Sequence, residues 1–123
     1  MARTSKKRKN WLKKKIRTKR SLGPLGKYPR LVIFRSNKHI YGQLIDDNKS
    51  HTLLSSSTKD ENLGDKLKNI NGKIEKSKIV GYAIAEKIKK NKISKIVYDR
   101  NGYRYHGRVR ALADAIREKG VNF

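Results

Sequence analysis

The charge of the chain is its most informative property. Its 123 residues include 33 Lys and Arg against 10 Asp and Glu, a net charge of +23. A surface of this kind selects polyanions, of which nucleic acid, acidic membranes and acidic proteins are the usual classes. The length suits one domain, and a hydrophobic fraction of 35% predicts a small core. The absence of cysteine excludes disulfides, thiolate metal sites and cysteine nucleophiles.

Targeting and membrane segments are not predicted. No apolar run approaches the ~18 residues that a membrane helix needs. A secretory signal would require an apolar run after the basic N-terminus, and the sequence has no such run there. A transit peptide is also basic and poor in acidic residues, so that alternative stays open. The lysine-rich start runs directly into the domain, which favours synthesis in the compartment where the protein works.

The basic residues are concentrated at the N-terminus. Residues 1–30 hold 13 Lys and Arg and no acidic residue. We therefore divide the chain into a basic arm, residues 1–29, and a globular domain, residues 30–123. Charge repulsion predicts that the arm alone is disordered. Trp11 and Ile16 lie on a weak helical face, so RNA phosphates that neutralise the lysines would allow a helix.

The domain begins with three predicted strands. Apolar or β-branched runs at residues 31–34, 39–45 and 51–58 are separated by short turns, which is typical of an antiparallel meander. Residues 59–75 are polar and are predicted to form a loop with at most a helical turn.

Helical periodicity follows the meander. It predicts a helix over roughly residues 76–91, then a strand at 95–99, and a last helix that carries Val109 and Ile116. Gly120 is a stop signal for that helix. The order β-β-β-α-β-α predicts an α/β fold of the α+β type, with a mixed sheet and two helices packed on one face.

No catalytic or metal-binding constellation stands out. The three histidines are scattered, and no G-x-S-x-G, H-E-x-x-H or P-loop motif is present. Asp46 and Asp47 could suggest a metal site, but aspartate is common at such turns. We predict no enzymatic activity, no cofactor and no metal. The alternative is an RNA-acting enzyme with His51 or His106 as its acid and base.

Residues 99–108 hold the densest group of candidate RNA contacts: two tyrosines, one histidine and three arginines. Aromatic rings stack on unpaired bases, and guanidinium groups bind phosphates and base edges. The alternatives are that the tyrosines pack in the core and that His106 caps the last helix. Arg104 and Arg108 are favoured as RNA contacts. The alternative is that Asp99 pairs with Arg100 or Arg108 and shapes the loop.

The turn at residues 35–41 has a similar composition. Tyr41 lies two positions beyond His39 and therefore on the same strand face. The turn is either an RNA contact, which we favour, or a solubilising β-turn built from the same residue types. Hydroxyl groups at residues 55–58 form a weak further candidate. The basic residues at positions 6–9 also fit a nuclear-localisation patch, a motif of low specificity.

Three segments of the sequence resemble one family. Residues 30–41, 43–47 and 98–115 are similar to the bacterial-type ribosomal protein eighteen family of the large subunit. The resemblance implies a mixed α/β sandwich and an arm that tracks rRNA. It also implies a protein that binds 5S rRNA and joins it to 23S rRNA in the central protuberance. Asn101 replaces an expected glycine, and residues 59–75 match the family pattern poorly.

The resemblance and the loop composition together define the candidate RNA contacts. They are the basic residues of the arm and the polar, basic and aromatic residues of the turn and the loop. These are Arg3, Lys6, Lys7, Arg8, Lys9, Lys13, Lys14, Lys15, Arg17, Lys19, Arg20, Arg35, Ser36, Asn37, Lys38, Tyr41, Arg100, Tyr103, Arg104, Tyr105, His106 and Arg108.

The partners implied are 5S rRNA, 23S rRNA and neighbouring large-subunit proteins, with no membrane and no small-molecule substrate. The abundance of Lys, Ile and Asn suggests an AT-rich genome, so the ribosome would lie in a plastid (chloroplast) stroma or a bacterial cytoplasm. The remaining alternative is a nonspecific binder of polyanions or membrane surfaces. Such a protein would bind any nucleic acid or acidic vesicle with similar affinity.

Overall fold

The computed structural model describes residues 5–123. Within them the chain forms four helices, four strands and a 3-10 turn at Glu61–Leu63. The helices are α1 (Lys6–Ser21), α2 (Gly64–Leu67), α3 (Lys73–Lys90) and α4 (Arg108–Glu118). The strands are β1 (Arg30–Arg35), β2 (Ile40–Asp46), β3 (His51–Ser57) and β4 (Val97–Asp99).

The four strands form one mixed sheet in the order β3-β2-β1-β4. The first three form the predicted antiparallel meander, with Leu31 opposite Leu44 in the β1–β2 register. β4 then adds beside β1 in the parallel direction. A parallel return needs a crossover, and α3 supplies it. The predicted mixed sheet and its α+β class are confirmed.

The core lies between the sheet and the pair α3 and α4. Leu31 and Leu44 from the sheet are fully buried with Ile84 of α3 and Leu112 of α4. The strand–helix contact is close at Gly42, where an added Cβ would lie 2.6 Å from Cδ1 of Ile84. An alanine there would require the Ile84 side chain to shift within the packed core.

The boundaries of several elements differ from those predicted. Helix α3 begins at Lys73, ahead of the predicted residue 76. The prediction missed its first turn because that turn has little apolar periodicity. Strand β4 is shorter than predicted, and Lys95 instead forms an isolated bridge with Asn122. In the predicted loop at 59–75, Leu63 and Leu67 are buried by the 3-10 turn and α2. Two apolar residues are too few to predict a helix from periodicity.

A buried ion cluster ties three strand ends together. The Nη1 atom of Arg30 lies 2.6 Å from Oδ2 of Asp99, and its Nη2 atom lies 3.1 Å from Oδ1 of Asp47. The alternative in which Asp99 pairs with Arg100 or Arg108 is therefore wrong. Burial lowers the pKa of Arg30, but the hydrogen bonds and charges of the two carboxylates outweigh it and raise the pKa. The guanidinium stays charged, and the cluster fixes β1, β2 and β4 relative to one another.

The two aspartates after β2 have structural partners. Asp47 accepts hydrogen bonds from Arg30, and Oδ1 of Asp46 accepts one from the backbone N–H of Asn48 at 3.0 Å. This geometry favours the turn interpretation over the metal interpretation. Across residues 5–123, no three His, Asp or Glu side chains gather as a metal site would require. No helix in the same range is long and apolar enough to cross a membrane.

Candidate nucleic-acid interface

Part of the basic arm forms helix α1, and this helix is docked on the loop between β4 and α4. Its first turn is capped by Ser5, whose Oγ accepts a hydrogen bond from the N–H of Arg8 at 3.2 Å. Trp11 then anchors the helix: its Nε1–H donates to the backbone oxygen of Asn101 at 3.1 Å. Its ring also stacks on Tyr103 with centroids 5.8 Å apart.

The structure thus contains the helical form of the arm. The disorder expected for the arm in the absence of RNA, and the division at residue 29, stay predictions. The sequence reasoning placed Trp11 on a helical face but missed its contact with the loop. An isolated tryptophan in a lysine-rich segment was the available signal, because its large apolar surface favours burial.

The surface on which α1 docks depends on two residues with positive φ. Asn101 has φ +55° and Gly102 has φ +79°. A Cβ on Gly102 would lie 2.6 Å from the backbone nitrogen of Lys15, so only glycine lets the helix come this close. The N–H of Asn101 donates to Oδ1 of Asp99 at 2.8 Å. Asp99 therefore belongs to the ion cluster and also supports the loop on which α1 docks.

Tyr103 links α1 to the end of β1. Its ring contacts Trp11, and the guanidinium of Arg35 lies 4.8 Å from its centroid. Arg100 donates from Nη1 to its backbone oxygen at 2.8 Å. The ring is half-buried against the core, so the packing alternative describes its position. An RNA contact by Tyr103 stays a prediction.

Tyr105 and His106 lie at the other end of the loop. Tyr105 is 40% exposed, and its hydroxyl accepts a hydrogen bond from Nη1 of Arg117 at 2.8 Å. His106 is exposed and does not cap α4, whose N-cap is Gly107 without a side-chain hydrogen bond. The capping alternative for His106 is therefore wrong. Both side chains are accessible to a partner.

The turn between β1 and β2 joins the loop through Arg108. Nη1 of Arg108 donates to the backbone oxygen of Ser36 at 2.7 Å. Partial burial, and then the nearby charge of Arg35, lower the pKa of Arg108 below its ordinary value. Two guanidinium groups are thus held near each other without a carboxylate between them. Such an arrangement favours binding of an anion.

The rest of the turn is open to solvent. Ser36, Asn37 and Lys38 are exposed, and Oδ1 of Asn37 accepts a hydrogen bond from Lys73 at 3.3 Å. Tyr41 is half-buried on β2, where the ammonium of Lys59 lies 6.0 Å from its ring centroid. Lys59 and Lys73 were absent from the predicted set. Both come from segments whose positions only the fold defines.

The basic side chains converge on three adjoining depressions. The basic residues of the first are Arg35, Lys73, Arg104 and Arg108, and those of the second are Lys7, Lys14, Arg35 and Arg104. The third is lined by residues 14, 17, 100 and 104. Arg104 lines all three, and among the described residues 5–123 no acidic one lines any of them.

We call this surface the basic groove. Eight cations define it: Lys7, Lys14, Arg17, Arg35, Lys73, Arg100, Arg104 and Arg108. Across residues 5–123 the side chain of Arg104 makes no hydrogen bond or ion pair, so its guanidinium is free to bind an external anion.

The structure brings together only part of the predicted set. Of the eight cations of the basic groove, all but Lys73 belong to that set, and the predicted residues Tyr103 and His106 also line the groove. The other basic residues of α1 lie on the same helix but do not line the depressions: Lys6, Arg8, Lys9, Lys13, Lys15, Lys19 and Arg20. Tyr105 and Tyr41 lie outside the depressions, and Arg3 falls outside the described residues.

The docking of α1 can be tested at Gly102. The variant Gly102→Ala should detach α1, because the new Cβ collides with the backbone of Lys15 and the positive φ disfavours alanine. The chain has a single tryptophan, so the emission of Trp11 reports docking directly. We expect a red-shifted emission maximum in the variant.

Gly23→Ala is the matched control. Gly23 also has a positive φ, +75°, but an added Cβ would have no neighbour within 4 Å. This variant should have the same backbone strain and an unchanged emission maximum. Equal emission from Gly102→Ala and the unmodified protein would show that α1 does not rest on the loop in solution.

Comparison with known proteins identifies the family. A family model for ribosomal L18 of archaea, bacteria, mitochondria and chloroplasts matches residues 4–123. The chain belongs to this ribosomal L18 family. The resemblance inferred from the sequence is confirmed over nearly the whole chain.

Several similar curated proteins are named large ribosomal subunit protein uL18. The one from Lactobacillus acidophilus is 52% identical over 117 residues, covering 90% of this chain and 95% of the relative. The one from Thermotoga petrophila is 44% identical over 123 residues, covering both chains fully. The one from the Picosynechococcus strain is 49% identical over 108 residues, covering 88% of this chain and 89% of the relative.

Family membership also decides between function classes. The ribosomal L18 family consists of structural ribosomal proteins, so the expectation that the chain is not an enzyme is confirmed. The alternative of an RNA-acting enzyme based on His51 or His106 is set aside. The partners of a ribosomal protein are rRNA and neighbouring ribosomal proteins, which fits the basic groove.

Proposed function

We propose that this chain is a structural constituent of the large ribosomal subunit that binds 5S rRNA. It attaches 5S rRNA to 23S rRNA in the central protuberance, in a bacterial or plastid ribosome. The observation that carries the proposal is the basic groove. Cations of the arm and of the domain line it together, and Arg104 lies where they meet. The names of the relatives support the subunit.

The groove suits RNA because it combines two kinds of contact. The lysines of α1 supply phosphate contacts, which bind without reading sequence. The loop and the turn supply accessible polar and aromatic groups, among them His106 and Asn37, which can recognise unpaired nucleotides and RNA shape. Because α1 is docked on the loop, both kinds of contact lie on one surface. Specificity is therefore expected from the domain, and much of the affinity from the arm.

A competition binding assay at two salt concentrations tests this proposal. Labelled 5S rRNA competes against an unrelated structured RNA of equal length. The proteins are the full chain and a variant that lacks residues 1–22. We expect both proteins to prefer 5S rRNA. The truncated variant should have the shallower salt dependence, because it neutralises fewer phosphates.

Equal affinity of the full chain for both RNAs would contradict the 5S assignment. The chain would then be a general polyanion binder, the alternative left open by its charge. Loss of the preference in the truncated variant alone would move specificity from the domain to the arm. The comparison therefore tests separately which RNA is bound and whether the arm or the domain provides the specificity.

A further inference from the structure

A second basic cluster lies at the end of α3 that is remote from the basic groove. It consists of Lys89, Lys90, Lys92 and Lys95, which follow closely in sequence at the end of α3 and just after it, and of Lys27, which shares the ring of Tyr28 with Lys95. We call this cluster the lysine pole. All five lysines are exposed. Apart from Lys27, which belongs to the basic arm, none of them is among the RNA contacts predicted from the sequence.

The fold brings the members of the pole together from two segments. After α3 the chain turns tightly: Lys92 has φ +57°, and the N–H of Ile93 donates to the backbone oxygen of Ile88 at 3.1 Å. The ammonium of Lys95 then lies 4.8 Å from the centroid of the Tyr28 ring. That of Lys27 lies 5.4 Å from the same ring. Two cations therefore share one aromatic side chain.

Intramolecular interactions do not balance the charge of this cluster. Cations in the last turn of a helix interact favourably with its dipole, which accounts for Lys89 and Lys90. The helix dipole does not stabilise the other three lysines, because Lys92, Lys95 and Lys27 lie beyond that turn. Within residues 5–123, no carboxylate lies within 4 Å of any ammonium group of the pole. The cluster therefore carries unbalanced charge, which an external anion would neutralise.

The composition of the pole favours RNA over protein. Protein–protein interfaces are enriched in aromatic and apolar residues and depleted in lysine. The large exposed apolar side chains of the described residues lie elsewhere, at positions 12, 16, 53, 74 and 105. A membrane surface would likewise need an apolar anchor. Exposed lysines suit phosphate, because an ammonium group on a flexible side chain can donate hydrogen bonds to phosphate oxygens.

The pole and the groove are far apart. Helix α3 has 18 residues and is therefore about 27 Å long. Its first residue, Lys73, contacts Asn37 of the turn beside the groove, and its last residues belong to the pole. This separation exceeds the Debye length of ~8 Å at physiological salt, so the two surfaces attract phosphates independently.

We propose that the lysine pole binds the phosphate backbone of a second RNA segment, distinct from the one on the basic groove. The chain then bridges two RNA segments across the length of α3. This inference rests on the proposed function, in which the protein joins two rRNAs, and it names the surface for the second one.

A bridging assay with full-length proteins tests the inference. 5S rRNA is immobilised, protein is added, and capture of 23S rRNA is measured. The pole variant carries Lys90→Gln, Lys92→Asn and Lys95→Gln, where asparagine tolerates the positive φ. A matched control carries Lys66→Gln, Lys68→Gln and Lys76→Gln, with the same change of charge on α2 and the start of α3.

We expect the pole variant to bind 5S rRNA within twofold of the unmodified protein and to capture about tenfold less 23S rRNA. For 23S rRNA alone, its salt dependence should be shallower by a slope of roughly 2 to 3, since three phosphate contacts are lost. The control should behave like the unmodified protein. Circular dichroism and thermal unfolding establish that both variants are folded.

Several results would overturn the inference. Equal capture of 23S rRNA by the pole variant and the control would remove the pole as an RNA surface, while the proposed function would stand. An equal loss of 5S rRNA binding would make the pole part of a single continuous surface. Equal RNA binding, with loss of a ribosomal protein from reconstituted particles, would assign the pole to a protein partner.

A failure of the proposed function is recognised separately. It would appear as equal affinity of the unmodified protein for 5S rRNA and the unrelated RNA. In that event the salt dependence of 23S rRNA binding by the pole variant, compared with the control, still decides whether the pole contacts RNA. A shallower slope in the variant alone supports the pole, and equal slopes overturn it.

Discussion

The substitution Arg30→Met is expected to lower the free energy of unfolding by roughly 3–5 kcal/mol. The side chain of Arg30 is 11% exposed, and its partners Asp99 and Asp47 are 4% and 18% exposed. Methionine keeps much of the volume but leaves two carboxylates without a cation in a place that water barely reaches. Since small domains are stable by about 5–15 kcal/mol, the variant should be close to unfolding. Urea denaturation followed by circular dichroism measures the change.

Two controls separate the ion cluster from loss of charge in general. Arg110→Met removes an arginine that is 63% exposed and pairs with Asp114 at 3.6 Å, so it should cost only about 0–1 kcal/mol. Adding Asp47→Asn and Asp99→Asn to Arg30→Met should restore much of the lost stability, because no unpaired charge remains. A cost below about 1 kcal/mol for Arg30→Met would show that the cluster does not hold the strand ends.

The substitution Arg104→Gln is expected to weaken 5S rRNA binding about tenfold and to make its salt dependence shallower by a slope of about 1. Arg104 lines all three depressions of the groove and is exposed. Because its guanidinium has no partner within residues 5–123, the substitution should leave stability unchanged. Fluorescence anisotropy with labelled 5S rRNA at several salt concentrations measures both effects.

Arg110→Gln serves as the control for Arg104→Gln. It removes one exposed arginine from α4 without touching the depressions, so the affinity should stay within about twofold. If the two variants bound 5S rRNA equally well, the groove would not be the binding surface, and RNA contact would have to be sought elsewhere. A loss of affinity without a change of the salt slope would indicate contact with a base rather than a phosphate.

The docking of α1 gives the arm a place in the recognition surface. A disordered arm would supply affinity without orientation, whereas Trp11 holds α1 against the same loop that carries Arg104. Tyr103 connects this anchor to Arg35 on β1. The arm and the domain therefore act as one unit when the helix is docked. If Gly102→Ala detaches α1, the arm should contribute less to the affinity for RNA.

Local patterns predicted most of the fold. Alternating and apolar runs predicted the three strands of the meander, and helical spacing predicted α3 and α4. Gly120 ends the last helix with φ +92°, and Asn101 adopts positive φ, both as expected from their residue types. These features depend on neighbours within a few residues, which is the range over which sequence patterns carry information.

Contacts between distant segments were not accessible in this way. Asp99 pairs with Arg30, 69 positions away, and not with the nearby arginines. Trp11 donates to Asn101 across 90 positions. Neither partner can be read from periodicity, because the choice among several arginines or carbonyl groups depends on which strands become neighbours. The parallel addition of β4 beside β1 decides the first, and the loop that follows β4 decides the second.

The sequence by itself determined the excess of positive charge, its concentration in the arm, the order of the elements and the family. Composition and local spacing are sufficient for these, since they do not depend on how segments meet. The tertiary structure alone decided which cations share a surface. It separates the basic groove from the lysine pole by the length of α3, because side chains from distant segments approach one another only after the helices pack on the sheet.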